Sequence, residues 1–274
     1  MNDDNVVVPV YELLPTGKQH VSFSEWRSWS ECSYRHKLQQ IVKINLGKPS
    51  PHMDFGTACH AAHEEFIKTK VMDPSIALKI ICEVWDKNKE FVGFEPSKLD
   101  GWLLEATSIL LDVPKFYDET FPDWTPIDAE HELYEPIEKH PHAFKGFIDA
   151  VISVPNKKGK PTIWVLDAKT CGWGWDTRKK SDPMVKAQLV FYKNFWSKKA
   201  GVDPKNVRCG FVLLKRTAKA GAHCELIPVS VGDVTTTRSL KMLSNMLVSI
   251  KRGIAMKNRS SCQWCDYRGT EHCK

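Results

Sequence analysis

The stretch GFIDAVISVPNKKGKPTIWVLDAKT, residues 146–170, reads as a β-hairpin in which two apolar runs are joined by Pro-Asn-Lys-Lys-Gly-Lys. Such runs belong in a core, yet Asp149, Asp167 and Lys169 interrupt them. Strand side chains alternate faces, so Asp167 and Lys169 share one face, and Asp149 shares its own with Phe147 and Val151. A register that sets Asp149 near Asp167 brings two carboxylates and one ammonium together. Adjacent carboxylates repel unless a cation lies between them. A hard divalent ion such as Mg²⁺ or Mn²⁺, held by one or two carboxylates plus water and substrate phosphate, meets that need. A lysine beside it can activate the attacking water and neutralise charge on the phosphate. That chemistry is phosphodiester hydrolysis. The bland alternative is an exposed edge-strand ion pair, worth about 0–1 kcal/mol.

Around the hairpin the pattern is α, then βββαββ, then α. Ser22 and Glu25 suit a capping box for a first helix over 22–42, and helical patterns follow at 54–69, 74–92 and 97–119. Strands are expected at 128–137, 144–154 and 161–170, a helix at 183–199, strands at 207–215 and 224–231, and a helix at 234–257. No repeat or long linker divides the chain. The expectation is one α/β domain spanning 1–274, with a mainly helical portion at about 20–125, a catalytic core at about 126–232, and a closing helix and cysteine cluster at about 233–274.

With 42% hydrophobic residues, 274 residues can bury a substantial core, and a net charge of +6 tolerates a polyanionic partner. No segment approaches the roughly 20 apolar residues of a membrane helix. The opening MNDDNVVVPVYELL lacks the order of a signal peptide, so a cytosolic protein is expected. Nine cysteines then argue for reduced thiols or metal ligation. Cys59, Cys82, Cys171, Cys209 and Cys224 read as small buried hydrophobes. Cys262, Cys265 and Cys273 cluster in the tail SSCQWCDYRGTEHCK, a spacing that suits either tetrahedral zinc or a [4Fe-4S] cluster with a fourth ligand.

The segments GFIDAV and VLDAKT resemble motifs of the PD-(D/E)xK nuclease superfamily. Gln188-Leu-Val-Phe-Tyr192 resembles the QxxxY motif of its RecB-type branch, and Phe55-Gly-Thr-Ala-Cys-His60 resembles that branch's Gly-Thr-x-x-His signature. The resemblance implies a restriction-endonuclease-like mixed central sheet flanked by helices. It implies His60, Asp149, Asp167 and the carbonyl of Ala168 as ligands of Mg²⁺ or Mn²⁺, and Lys169 as the catalytic lysine. Gln188 and Tyr192, one helical turn apart, would contact the DNA backbone or orient Lys169; their bland reading is core packing and a sheet-edge cap. A further acid is implied on the preceding strand, Glu132 first and Glu130 second. Asp stands where the superfamily more often has Glu as its second acid. HAAHEE at 60–65 does not match the HExxH zinc spacing, so His63 and Glu64 read as structural.

Cys32 together with the C-terminal three resembles the iron–sulfur subclass of RecB-type nucleases, which includes the AddB nuclease domain and CRISPR-associated four-cysteine exonucleases. The resemblance implies a structural [4Fe-4S] cluster stapling the two ends of the chain, with zinc as the alternative metal and His272 as a substitute ligand. A DNA exonuclease of recombination, repair or DNA degradation follows, of the kind a phage or bacterium carries, with a helicase or recombination protein as partner. A site-specific endonuclease of the same fold and a non-catalytic, zinc-stapled nucleic-acid-binding module are the alternatives. Trp173 and Trp175, followed by Arg178, Lys179 and Lys180, form either a base-stacking loop suited to single-stranded DNA or a basic loop over packed tryptophans.

Overall fold

The computed structural model describes residues 10–274, so the first nine residues of the opening arm lie outside the described residues. The chain divides into two compact units, each drawn from separated segments. One takes the residues up to Gly47, Glu132–Gly146 and Asp233–Lys274; the other takes Lys48–His131 and Phe147–Gly232.

The larger unit carries helices α3 (Pro51–Thr69), α4 (Ser75–Asn88) and α5 (Pro96–Thr120). Strands β2 (Thr125–Pro136) and β3 (Ala143–Pro155) enter it in part, and β4 (Pro161–Cys171), β5 (Val207–Lys215) and β6 (Cys224–Val229) belong to it whole. β3 runs antiparallel to β4, β4 parallel to β5, and β5 antiparallel to β6. A parallel neighbour needs a crossover. Helix α7 (Pro183–Ala200) supplies it, packing on β4 and β5 between them in sequence. Leu166 and Ala168 enter the apolar core with residues of α3, α4 and α5. Strand alternation therefore turns Asp167 and Lys169 to the other face. A mixed sheet flanked by helices is the architecture expected from the sequence.

His63, on α3, is buried in that core with its Nε2 2.8 Å from the hydroxyl of Tyr117. The structural reading of His63 fits this position. Burial pulls its pKa down to about 4. Unfolding restores the ordinary value near 6.5, so the unfolded chain binds the extra proton between those two pH values, and stability falls as pH falls through that window. The expected loss is about 3 kcal/mol. Urea midpoints at pH 7 and pH 4.5 check it: the difference should shrink in His63→Phe, and an unchanged difference would assign the acid sensitivity to other groups.

In the smaller unit, β1 (His20–Ser22) runs parallel to the first residues of β3, with Val21 opposite Phe144. Ser22 caps α1 (Phe23–Glu31) by accepting the N–H of Glu25 at 3.2 Å. Only this half of the capping box forms. The Glu25 carboxylate is buried, with His36 Nε2 at 3.0 Å and Lys18 Nζ at 3.5 Å. The first helix also does not run on to residue 42. Cys32 is extended (φ −162°, ψ 106°) and separates α1 from α2 (Ser33–His36), after which Lys37–Ile41 form a π-helical turn. Helix α8 spans Asp233–Lys251 and stops short of 257, because Gly253 turns the chain at φ +69° and donates its N–H to Ile250. β1 and a one-turn helix α6 (Thr177–Ser181) carry no periodic signal in the sequence, being too short to repeat one.

Candidate active site

The hairpin ladder pairs Pro155 with Pro161 and runs to Ala150 opposite Leu166. Asp149 and Asp167 stand at the next step of that register. There the pairing gives way, and Asp149 Oδ2 accepts the N–H of Ala168 at 2.6 Å. β4 continues alongside β5, with Asp167 opposite Phe211 and Lys169 opposite Leu213. The two strands thus separate where the acids lie.

Lys169 Nζ is 2.7 Å from Asp167 Oδ2. Among the described residues that ammonium is the one partner within reach of Asp167 Oδ2, which is otherwise buried. The other oxygen, Oδ1, accepts from Gln188 Nε2 at 2.7 Å. Gln188 also donates to the hydroxyl of Tyr192 at 3.1 Å, one turn along α7. Tyr192 is 5% exposed, so it is a core residue and a neighbour of the cluster at once. From α3, His60 Nδ1 reaches Asp149 Oδ2 at 3.5 Å. Gly56, one turn earlier, lets this helix come close: a Cβ there would meet Thr170 Oγ1 at 3.1 Å. This accounts for the glycine of Phe-Gly-Thr-Ala-Cys-His in packing terms.

The electrostatics divide the two acids. Burial works to raise the Asp149 carboxyl, but the His60 imidazole and Lys169 outweigh it and hold that carboxyl below its ordinary value. Burial pushes Asp167 up to about 6, with Lys169 opposing and the charge of Asp149 adding. Burial would lower His60, and Asp149 raises it instead. Two titratable groups driven apart in this way mark a site where charge is managed. Hard carboxylate oxygens beside one imidazole suit a divalent cation. As the side chains stand, these oxygens turn to Ala168, Gln188 and Lys169. Among the described residues no three His, Cys, Asp or Glu side chains are gathered so as to hold a metal.

Of the two further acids, Glu132 belongs to the smaller unit, where its carboxylate is 2.9 Å from Lys145. Glu130 is the one that senses the cluster: burial raises its carboxyl, and Asp149 and Glu64 add to the rise. Its backbone sits at φ +50°, unusual for glutamate within a strand. No periodicity signals such a kink. Glu64 itself pairs with Lys68 on α3.

Cys32, Cys262, Cys265 and Cys273 line one cavity of about 480 Å³. The N–H of Asn258 lies 3.4 Å from Cys32 Sγ, and its carbonyl accepts from Cys262 Sγ at 3.7 Å. Arg35, Lys257, Arg259 and Arg268 line the same cavity. The His272 imidazole instead faces Glu271 at 3.6 Å. Among the remaining cysteines, Cys59 and Cys209 are buried and Cys171 and Cys224 half-buried. Cys82 is exposed, contrary to expectation, because it lies on the outer face of α4.

The sequence profile of the PD-(D/E)XK nuclease superfamily matches residues 20–270. The chain belongs to the PD-(D/E)XK nuclease superfamily. It is accordingly a nuclease, a hydrolase whose substrate is nucleic acid, and superfamily members generally use divalent ions such as Mg²⁺ or Mn²⁺. Among solved structures, a Eubacterium rectale protein named "Putative exonuclease" superposes with a TM-score of 0.56 at 10% identity, over 98% of this chain and 93% of the other. At that identity the likeness shows the fold. A second structure, SSO0001, aligns with a TM-score of 0.34 and 15% identity over 86% of this chain and 91% of its own, and carries no argument. No curated protein sequence matches this PD-(D/E)XK nuclease. No helix among its described residues is long and apolar enough to cross a membrane.

Proposed function

We propose that this chain is a Mg²⁺- or Mn²⁺-dependent DNA exonuclease of cytoplasmic DNA recombination, repair or degradation, in a bacterium or a phage-infected cell. The gathering of Asp149, Asp167, Lys169 and His60 where the β3–β4 pairing ends carries the reading. Asp149, Asp167, His60 and the carbonyl of Ala168 are the residues that would hold the ion. A bound divalent ion supplies Lewis acidity toward the scissile phosphate and a more acidic water. Lys169, anchored on Asp167, would position the attacking water and offset negative charge developing on the phosphate. Gln188 fixes the orientation of Asp167, and Tyr192 fixes Gln188.

Gln188 and Tyr192 are thus positioning residues. Gln188→Ala should lower turnover about tenfold, the cost of one hydrogen bond to a charged group, with metal affinity near the parent's. If Gln188→Ala and Tyr192→Phe both cleave normally but melt at lower temperature, their role is packing. For the mode of action, 5′- and 3′-labelled linear DNA should be degraded from an end while covalently closed circles stay intact. Cutting of closed circles would make the enzyme an endonuclease.

We infer further that the four thiols around the smaller unit's cavity bind a [4Fe-4S] cluster, zinc being the alternative. The shared cavity and the four cationic side chains among its lining support a thiolate-bound centre of net negative charge.

A further inference from the structure

The two tryptophans after β4 have opposite fates. Trp175 is 8% exposed, with its ring centroid 4.9 Å from that of Phe211 and Lys179 Nζ over its face at 4.7 Å. Trp173 is 86% exposed and has no ring, hydrogen-bond or cation partner among the described residues. Between them Gly174 takes φ +117°, a conformation open to glycine, and so turns one indole inward and the next outward.

The outward ring is not on a loose tether. On one side of it, the carbonyl of Cys171 accepts the N–H of Arg216 at 2.9 Å, and that of Gly172 accepts the N–H and Oγ1 of Thr217 at 3.0 and 3.1 Å. On the other side, Trp175 is anchored in the core. The chain is therefore held at Gly172 before Trp173 and at Trp175 after it, and a large apolar ring is held in water. Trp173 follows Lys169 by four residues, so their Cα atoms lie within about 14 Å. The Arg178 side chain, on α6, is exposed as well, while neighbouring Lys180 is tied to Glu225 at 2.8 Å.

We propose that Trp173 is a stacking platform for an unpaired base of the strand entering the active site, so that the enzyme engages its substrate through a single-stranded segment. Every base offers a π-face, so the contact is indifferent to sequence, and an adjacent cation such as Arg178 holds the backbone. The proposal deepens the nuclease reading above and rests on it for the identity of the strand. Binding and cleavage are therefore measured separately.

The test is equilibrium binding of fluorescent oligothymidylate, and of an abasic chain of equal length, to metal-free protein in chelator. The parent should prefer oligothymidylate. Trp173→Ala should bind it roughly five-fold to a hundred-fold more weakly, the range that stacking one base carries, and should bind the abasic chain as the parent does. Trp173→Phe should restore most of the loss, and both variants should melt with the parent. Equal binding of oligothymidylate by parent and Trp173→Ala, absent preference over the abasic chain, or no binding by the parent would overturn the proposal. Trp173-dependent binding without cleavage on adding Mg²⁺ would sustain the platform and refute the nuclease reading. Normal cleavage with undisturbed binding in Trp173→Ala would do the reverse.

Discussion

Replacing Lys169 by Ala is expected to reduce Mg²⁺-dependent cleavage by a factor of roughly a hundred or more, and Asp149→Ala and Asp167→Ala should cost at least as much. Lys169 is the cation set against Asp167, 2.7 Å away, in a site where burial already pushes that acid up to about 6. Removing the ammonium withdraws charge stabilisation from the phosphate and drives the Asp167 carboxyl further toward its protonated form, so two defects arise from one substitution. Folding should survive. Lys169 is partly exposed, and removing the Asp167 carboxylate, whose charged form burial and Asp149 disfavour, relieves the apo-protein. Single-turnover cleavage and thermal melting, measured on the same preparations, check both halves. Full activity of the Lys169→Ala protein would sink the mechanism.

The second large effect is expected at the cysteine cavity. Protein purified without air should be brown, with a broad absorbance near 400 nm and about four irons per chain. Any one of Cys32, Cys262, Cys265 or Cys273 changed to Ser should lose the colour and become labile. A centre binding Cys32 and Cys262 closes a loop of 230 residues, and such a link restrains the unfolded chain strongly. Cys82→Ser and Cys209→Ser should keep the cluster, since one thiol is on an exposed helix face and the other is in the larger unit's core. Colourless anaerobic protein with one zinc per chain would replace the metal and keep the four-thiol centre. Full metal occupancy after Cys32→Ser would remove Cys32 from it.

The hairpin of the candidate site was legible as a hairpin because its signal is periodic. Period two fixes which residues share a face, and the turn at 156–160 fixes the register, so three charged residues in apolar runs already predict a cluster. Gln188 and Tyr192 stood out only through their resemblance to the QxxxY motif, since helical spacing alone suits core packing equally well. What escaped the sequence is set by single backbone angles or by distant packing. Cys32 interrupts a continuous helical pattern with one extended residue, and Glu130 is turned by one positive φ. Neither leaves a mark in hydrophobic period. Trp173 and Trp175 look alike in sequence, and only the turn at Gly174 separates them. The exposure of Cys82 shows the complementary error, in which a residue type's habit of burial stood in for its place on the helix.

Asp149 and Asp167 are proposed to form an ion-dependent phosphodiesterase site. The most direct measurement is nucleotide release from end-labelled linear DNA by the parent, Asp149→Asn and Asp167→Asn proteins, each with Mg²⁺, with Mn²⁺ and with excess chelator. Release is expected from the parent with either ion, none in chelator, and at least a hundred-fold less from both variants, whose shapes are kept while the ion-holding charge is lost. Undiminished release in chelator, or from both variants, would contradict it.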